Sequence, residues 1–295
     1  MAAVGEAVRV GRTRRAGRPS RRGAFRILFA PVTLLLILFL GPMLIMVQMS
    51  LVRFPPDVES GFTLEHYASV LTNELNRTIA LNTAFIATTA MVAMLLLAVP
   101  LAYFMVFKAG KLELLILLAL VLADELAPVV KIYAWQVILG RQGLINFLVP
   151  GEPIEWLIYS RFAVILTLTT TYVTYTTIPI YAAMKAIDPA VFEASKDLGA
   201  GWLQQTKKIL LPLAAPGIFI AMILVYIPML TDFVTSDILG GAGGGTYMMG
   251  QRVRDLILQD VDWGSGAALN FLLLSLSAVL ALGSYRLAKL NRIEP

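Results

Sequence analysis

Residues 193–212 read EASKDLGAGWLQQTKKILLP, and this stretch decides how the chain is organised. It is the one long polar interval between two strongly apolar segments that is neither short nor rich in glycine. Asp188-Pro189, just upstream, is a helix-start signal, with Pro near the first helical position, where its missing N–H is no loss. Residues 190–198 continue the helix. Gly199 and Gly201 then interrupt it, because glycine turns a backbone at the least steric cost. Residues 202–211 resume a helix, and Pro212 marks a further bend or a new helix start. Ala194 and Ser195 are small, so another surface can approach closely, while Glu193, Lys196 and Asp197 keep the segment wet. The interval is either a docking element for a soluble partner at a membrane face or a solvated loop.

The surroundings are membrane-like. The chain has 295 residues, is 58% hydrophobic and has a mean hydropathy of +0.76, which excludes an ordinary soluble domain. It contains no cysteine, so disulfides, thiolate metal sites and a Cys nucleophile are excluded, and a single histidine, His66, rules out a His cluster. The net charge is +5, with much of the positive charge in RVGRTRRAGRPSRR near the N-terminus. Such a tract could serve a nucleic acid, but beside an apolar run it reads as a disordered cytoplasmic tail, residues 1–25, that holds the first span inside. The first apolar run is too long for a signal-peptide core and no small-x-small cleavage site follows it.

A bilayer core of roughly 30 Å needs about 20 apolar residues in a helix. Six stretches qualify: 27–49, 79–107, 112–139, 162–184, 216–239 and 265–288. Helices are the form that satisfies every backbone group in lipid, and these runs are too evenly apolar for barrel strands. The expected fold is all-α, a polytopic membrane protein with residues 26–295 forming six transmembrane helices. With the N-terminus inside, Lys108, Lys111, Lys185, Lys196, Lys207, Lys208, Arg286, Lys289 and Arg292 are cytoplasmic, and so is the C-terminus. Arg53, Arg77, Arg141, Arg161, Arg252 and Arg254 are outside. The bias has the expected sign and puts the polar interval, about 185–213, in the cytoplasm. On the outer side, FTLEHYASVL can form a short amphipathic helix from Thr63. GGAGGG, residues 240–245, is not a phosphate loop, because no Lys-Ser/Thr follows it.

Polar residues inside spans are expensive and so informative. Asp124 and Glu125 lie near the middle of the third segment, and each ionised group there costs about 2.5–3.5 kcal/mol unless it meets protein or water. Asp124 and Lys131 are seven apart and share a helix face, with Pro128 between them. They form a structural ion pair, or else Asp124 and Glu125 line a path for a cation. The fifth segment holds Tyr226, a Pro228 kink, Asp232 and Asp237. The fourth, TLTTTYVTYTTIP, carries a threonine stripe that suits helix packing. Tyr175 is the best exception, as a hydroxyl and π face for an amine. The candidate path is therefore Asp124, Glu125, Tyr175, Tyr226 and Asp232. No catalytic residue and no metal site is expected.

The order Glu193-Ala194-Ser195, three residues, Gly199, nine residues, Ile209, one residue, Leu211-Pro212 resembles the EAA loop of ABC importer permeases. In that family the loop forms coupling helices seated in a groove of a cytoplasmic ATPase. The resemblance implies that Glu193, Ala194, Ser195, Asp197 and Gly199 make the contact, with Ile209, Leu211 and Pro212 completing the motif. KIYAWQVILGRQGLIN, LVYIPMLTDFVTSDILGG and DWGSGAALNFLLL are similar to permeases of spermidine/putrescine-type importers, and that likeness covers most of the chain after about residue 25. It implies the type I ABC importer permease fold, in the bacterial inner membrane. It also implies a second permease subunit, a cytoplasmic ATPase dimer that binds ATP and Mg in place of this chain, and a periplasmic or lipid-anchored binding protein. No nucleic acid is implied. The chain departs from the family at residues 123–128, where two acids replace an apolar-aromatic segment. Related permeases carry other amines, amino-acid derivatives, organophosphonates and iron, and acids in the path favour a cation. A secondary transporter using Asp124 and Glu125 as an ion relay is the competing class.

Overall fold

The computed structural model describes residues 21–241 and 245–290. The basic tail expected over 1–25 lies outside the described residues as far as residue 20, and from Arg21 the backbone is helical. The first helix, α1 (Arg21–Leu51), belongs up to Gln48 to a unit of its own, and the chain from Met49 onward forms the second.

The second unit opens with a small antiparallel hairpin, β1 (Val52–Phe54) and β2 (Asp57–Phe62), followed by α2 (Glu65–Thr72), the short helix expected near Thr63. Asn73 then caps α3 (Glu74–Phe107) by accepting from the backbone N–H groups of Leu75 and Asn76. The third apolar segment is not one helix. It is α4 (Leu112–Asp124) and α5 (Pro128–Leu139), with residues 125–127 between them. Ala127 is extended at φ −50°, ψ 134°, as a residue before proline must be, and Pro128 starts α5. After α6 (Leu144–Leu148), Ser160 caps α7 (Arg161–Lys185).

Two short helices follow, α8 (Pro189–Asp197) and α9 (Trp202–Gln205). A turn of π-helix, Thr206–Leu210, leads into α10 (Leu211–Thr231) without a break. The fifth span therefore starts earlier than expected and ends at Thr231 rather than at residue 239, and residues 234–239 form a separate α11 (Val234–Leu239). Next comes α12 (Met249–Leu258), and α13 (Trp263–Leu290) closes the described chain.

Five helical stretches are long and apolar enough to cross a membrane: in α1, α3, α7, α10 with its lead-in, and α13. The sixth expected stretch is the broken pair α4–α5. Small residues bring the long helices together. Ala87, Ala90, Ala98 and Ala102 of α3 are fully buried, as are Ala163 of α7 and Ala214 and Ala221 of α10. Without a hydrophobic drive between helices in lipid, such close approach is what holds a bundle together. Gly217 of α10 faces Ala183 and the Pro179 carbonyl of α7, where a Cβ would overlap the Ala183 methyl.

Candidate functional site

The elbow between α7 and α10 folds as its sequence dictates. The Asp188 carboxylate accepts from Ala190 N–H at 2.9 Å, and Pro189 takes the first helical position. At the other end Gly199 adopts φ +79°, Ala200 N–H bonds Ser195 O at 2.9 Å and Gly199 N–H bonds Lys196 O at 2.8 Å. That is a Schellman cap, which needs a left-handed residue where glycine alone is unstrained.

Glu193, Ala194, Asp197 and Gly199 are exposed on this elbow. Ser195 is not: it is 8% exposed, its Oγ donates to Phe192 O at 2.8 Å and accepts from Gln205 Nε2 at 2.8 Å. Its hydroxyl ties α9 to α8, so within this chain Ser195 is mostly covered. Ile209 and Leu211 are half-buried and Pro212 is exposed, and the fully buried side chain in this part of the motif is Leu210. Sequence reasoning missed Leu198, which is 89% exposed and continues an apolar row from Val191 and Ala194 at helical spacing. The signal was available: an apolar residue immediately before the capping glycine of an otherwise wet helix.

Aromatic contacts fix the elbow to the bundle. Trp202 Nε1 donates to the Tyr103 hydroxyl at 2.9 Å, and Phe107 meets Phe192 edge-on with ring centres 5.2 Å apart. Between them lies a cavity of about 420 Å³, which Lys108, Glu193 and Lys196 also line. At the same end Tyr181 and Lys185 of α7 both donate to the Glu113 carboxylate of α4.

The second site is the break between α4 and α5. Lys131 Nζ lies 3.1 Å from Asp124 Oδ1 across it, with side chains 16% and 20% exposed. The spacing of seven foresaw this pair, although the helix between is not continuous. Glu125 is exposed; its backbone N–H bonds Val121 O at 3.2 Å, and its carboxylate makes no hydrogen bond or ion pair among the described residues. Asp232 sits at the second break, where its carboxylate accepts from Thr235 N–H at 2.9 Å beside the start of α11. Tyr172 and Tyr175 of α7 stand with ring centres 6.2 Å apart. Of the five path candidates, Asp124 and Glu125 are thus at the α4–α5 break, Asp232 at the break before α11 and Tyr175 on α7. Tyr226 stands apart and hydrogen-bonds Thr88 at 3.2 Å, between α10 and α3.

Most of the α7 threonines bond back into their own helix: Thr169 to Ile165 O, Thr176 to Tyr172 O and Thr177 to Val173 O. Thr170 also accepts from Trp135 Nε1 of α5 at 2.8 Å, and Thr174 donates to Leu120 O of α4 at 3.4 Å. Thr167 and Thr171 share that face, and their hydroxyls are buried without a partner.

α12 packs against the end of α10. The Arg254 guanidinium pairs with Asp237 and with Asp255, Arg252 reaches Asn76 at 3.3 Å, and Gly250 packs on the Thr231 and Asp232 carbonyls. Arg254 holds the Asp237 carboxyl below its ordinary range. A depressed carboxylate contributes stability above its unfolded pKa, and that stability is lost as pH falls through the folded value. We expect the thermal midpoint to fall below about pH 4, and Asp237→Asn to flatten that fall, as read by melting curves across pH.

The fold is thus a helical bundle with two broken segments and an exposed polar elbow between α7 and α10. The chain belongs to the family of binding-protein-dependent transport system inner membrane components, whose pattern matches residues 8–291. It is 30% identical to the spermidine/putrescine transport system permease protein PotB of Haemophilus influenzae over 77% of this chain and 80% of that one. It is also 30% identical to PotB of Escherichia coli K12, over 79% and 85%. A 67-residue stretch is 36% identical to PotC of H. influenzae, covering 23% and 26%. Among solved structures, a bacterial ABC transporter involved in the import of the acidic polysaccharide alginate matches with a TM-score of 0.72 at 17% identity, over 92% of this chain and 97% of that one. The fold is that of an ABC importer permease.

Proposed function

We propose that this permease forms the translocation path for a small organic cation, a polyamine of the putrescine or spermidine class, in an ATP-driven importer. An extracytoplasmic binding protein delivers the substrate. The observation that carries the cation is the pair of carboxylates, Asp124 and Glu125, at the break of the third segment. The names of the 30% identical relatives give the amine class. The orphaned Thr167 and Thr171 hydroxyls, on the α7 face turned toward α4 and α5, suit a wetted path.

The partners follow from exposed surface. Glu125 on an apolar helix must meet protein or water rather than lipid, so α4–α5 faces the second permease subunit. The partial likeness to PotC favours a different chain there. The α8 elbow is cytoplasmic, with both termini, and enters a groove of a separate ATPase that binds ATP and Mg. Glu193, Ala194, Asp197 and Leu198 make that contact. Nucleotide-driven closure of the ATPases carries the elbow, and α7 and α10 tilt with it as rigid bodies, switching the access of the site. A gradient-driven carrier has no use for such an elbow.

The test is uptake of labelled putrescine by proteoliposomes holding both permeases, the ATPase and the loaded binding protein. Uptake requires ATP, and Asp124→Asn lowers its rate about tenfold, the effect of ~1.4 kcal/mol at the barrier. It leaves the ATPase bound. Unchanged uptake with a lowered melting temperature shows a structural pair instead.

A further inference from the structure

We propose that Lys131 is a tethered competitor of the substrate: its ammonium occupies the Asp124 carboxylate at rest, and import requires the incoming ammonium to displace it. This rests on the organic-cation reading of the path.

The seat is already filled by the chemistry it would receive. A lysine side chain is a primary ammonium on a four-carbon stem, and an α,ω-diamine of the putrescine class presents the same group on the same stem. Lys131 Nζ sits 3.1 Å from Asp124 Oδ1, with both side chains largely buried. Beside this closed pair, Glu125 is exposed and unpaired. The two acids are therefore unequal. A diammonium meets Glu125 first, with no bond to break. Its other end then trades places with Lys131 on Asp124. The exchange leaves both carboxylates paired and releases the Lys131 ammonium, which must then turn to water or to a partner subunit, because an unpaired charge is expensive in lipid.

The break supplies the motion. Asp124 ends α4 and Lys131 lies in the first turn of α5, so the pair links two helices that share no continuous backbone hydrogen bonding. α4 is held at its far end by Glu113 to Tyr181 and Lys185, and α5 by Trp135 to Thr170. Between those anchors the Asp124–Lys131 contact is the ion pair that bridges the halves, so releasing it frees one half to move against the other. Arrival of cargo and loosening of the path become one event, and an empty transporter keeps its own plug.

The measurement is equilibrium binding of labelled putrescine to the detergent-purified complex of permeases and ATPase, without the binding protein. Lys131→Met removes the competitor and is expected to tighten binding by roughly fivefold, the factor a partly buried pair supplies. Lys131→Arg keeps the pair and holds Asp124 through a guanidinium, so it is expected to bind no more tightly than the parent. Asp124→Asn combined with Lys131→Met loses the gain. In proteoliposomes Lys131→Met also raises ATP hydrolysis in the absence of cargo. Equal binding by the parent and Lys131→Met, in a complex that still imports putrescine, overturns the tether and leaves the cation path standing. Absence of any ATP-dependent uptake of putrescine by the parent overturns the cation reading itself. Should Lys131→Met fail to assemble, Lys131→Arg binding more tightly than the parent contradicts the proposal.

Discussion

Gly217→Val is expected to leave the permease in the membrane and bound to its ATPase, but to reduce ATP-driven uptake at least about tenfold. The argument is steric. A Cβ at Gly217 overlaps the Ala183 methyl and comes within 3.1 Å of the Pro179 carbonyl, so α7 and α10 must part there. Two helices touching along small residues have no flexible side chain to give way, and overpacking of this kind costs about 1–3 kcal/mol. The contact lies directly above the elbow, next to the buried Ala214 and Met184. It is where a push on α8 becomes a common tilt of two spans. Gly217→Ala already carries the offending atom and should show a smaller loss in the same direction. Copurification of the ATPase, which depends on the elbow, is the control. Parental uptake by both variants would mean that α7 and α10 do not move as one body.

Leu198→Asp is expected to have the second large effect, on assembly rather than motion. Leu198 is 89% exposed at the tip of α8, beside a glycine held at φ +79°. An apolar side chain left that bare by its own chain is an anchor for another surface, and central apolar anchors carry ~2 kcal/mol or more of an interface. A carboxylate there loses the burial and adds a desolvation penalty, so the ATPase should bind at least about thirtyfold more weakly. Leu198 touches little of its own bundle, so the permease itself should melt as the parent does. Titration of detergent-purified permease with the ATPase reads this directly.

How much of this was legible beforehand differs by site. The elbow was readable in detail, because Asp188-Pro189 and Gly199 are local devices whose geometry follows from the residues themselves. The burial of Ser195 was not readable, because small size says only that approach is possible. Its partner, Gln205, is ten residues on, in another helix, and no spacing rule announces it. The broken third segment was half legible. Pro128 and two adjacent acids disfavour an unbroken apolar helix, and the seven-residue spacing pointed to the Asp124–Lys131 pair. What could not be read is that the helix stops at Asp124 and begins again at Pro128, since a proline kink and a full break look alike in sequence. The fifth segment failed for a similar reason. Pro228 drew attention, yet the chain breaks at Asp232, where the carboxylate captures Thr235 N–H and so competes with helix continuation. Asp-Phe-Val-Thr carried that signal as a capping spacing inside an apolar run. Glu125 and Leu198 are exposed among the described residues, so the sequence says only what chemistry must meet them.

The chain has no cysteine, so a single cysteine can be placed at will. The most direct measurement is Leu198→Cys in right-side-out and inverted membrane vesicles, with separate samples treated with an impermeant maleimide and with a short thiol-reactive bifunctional crosslinker. The account predicts labelling in inverted vesicles alone, protection of the site by the ATPase, and a crosslinked product containing the ATPase subunit. Labelling from the right-side-out face, or crosslinks that never contain an ATPase, would contradict it.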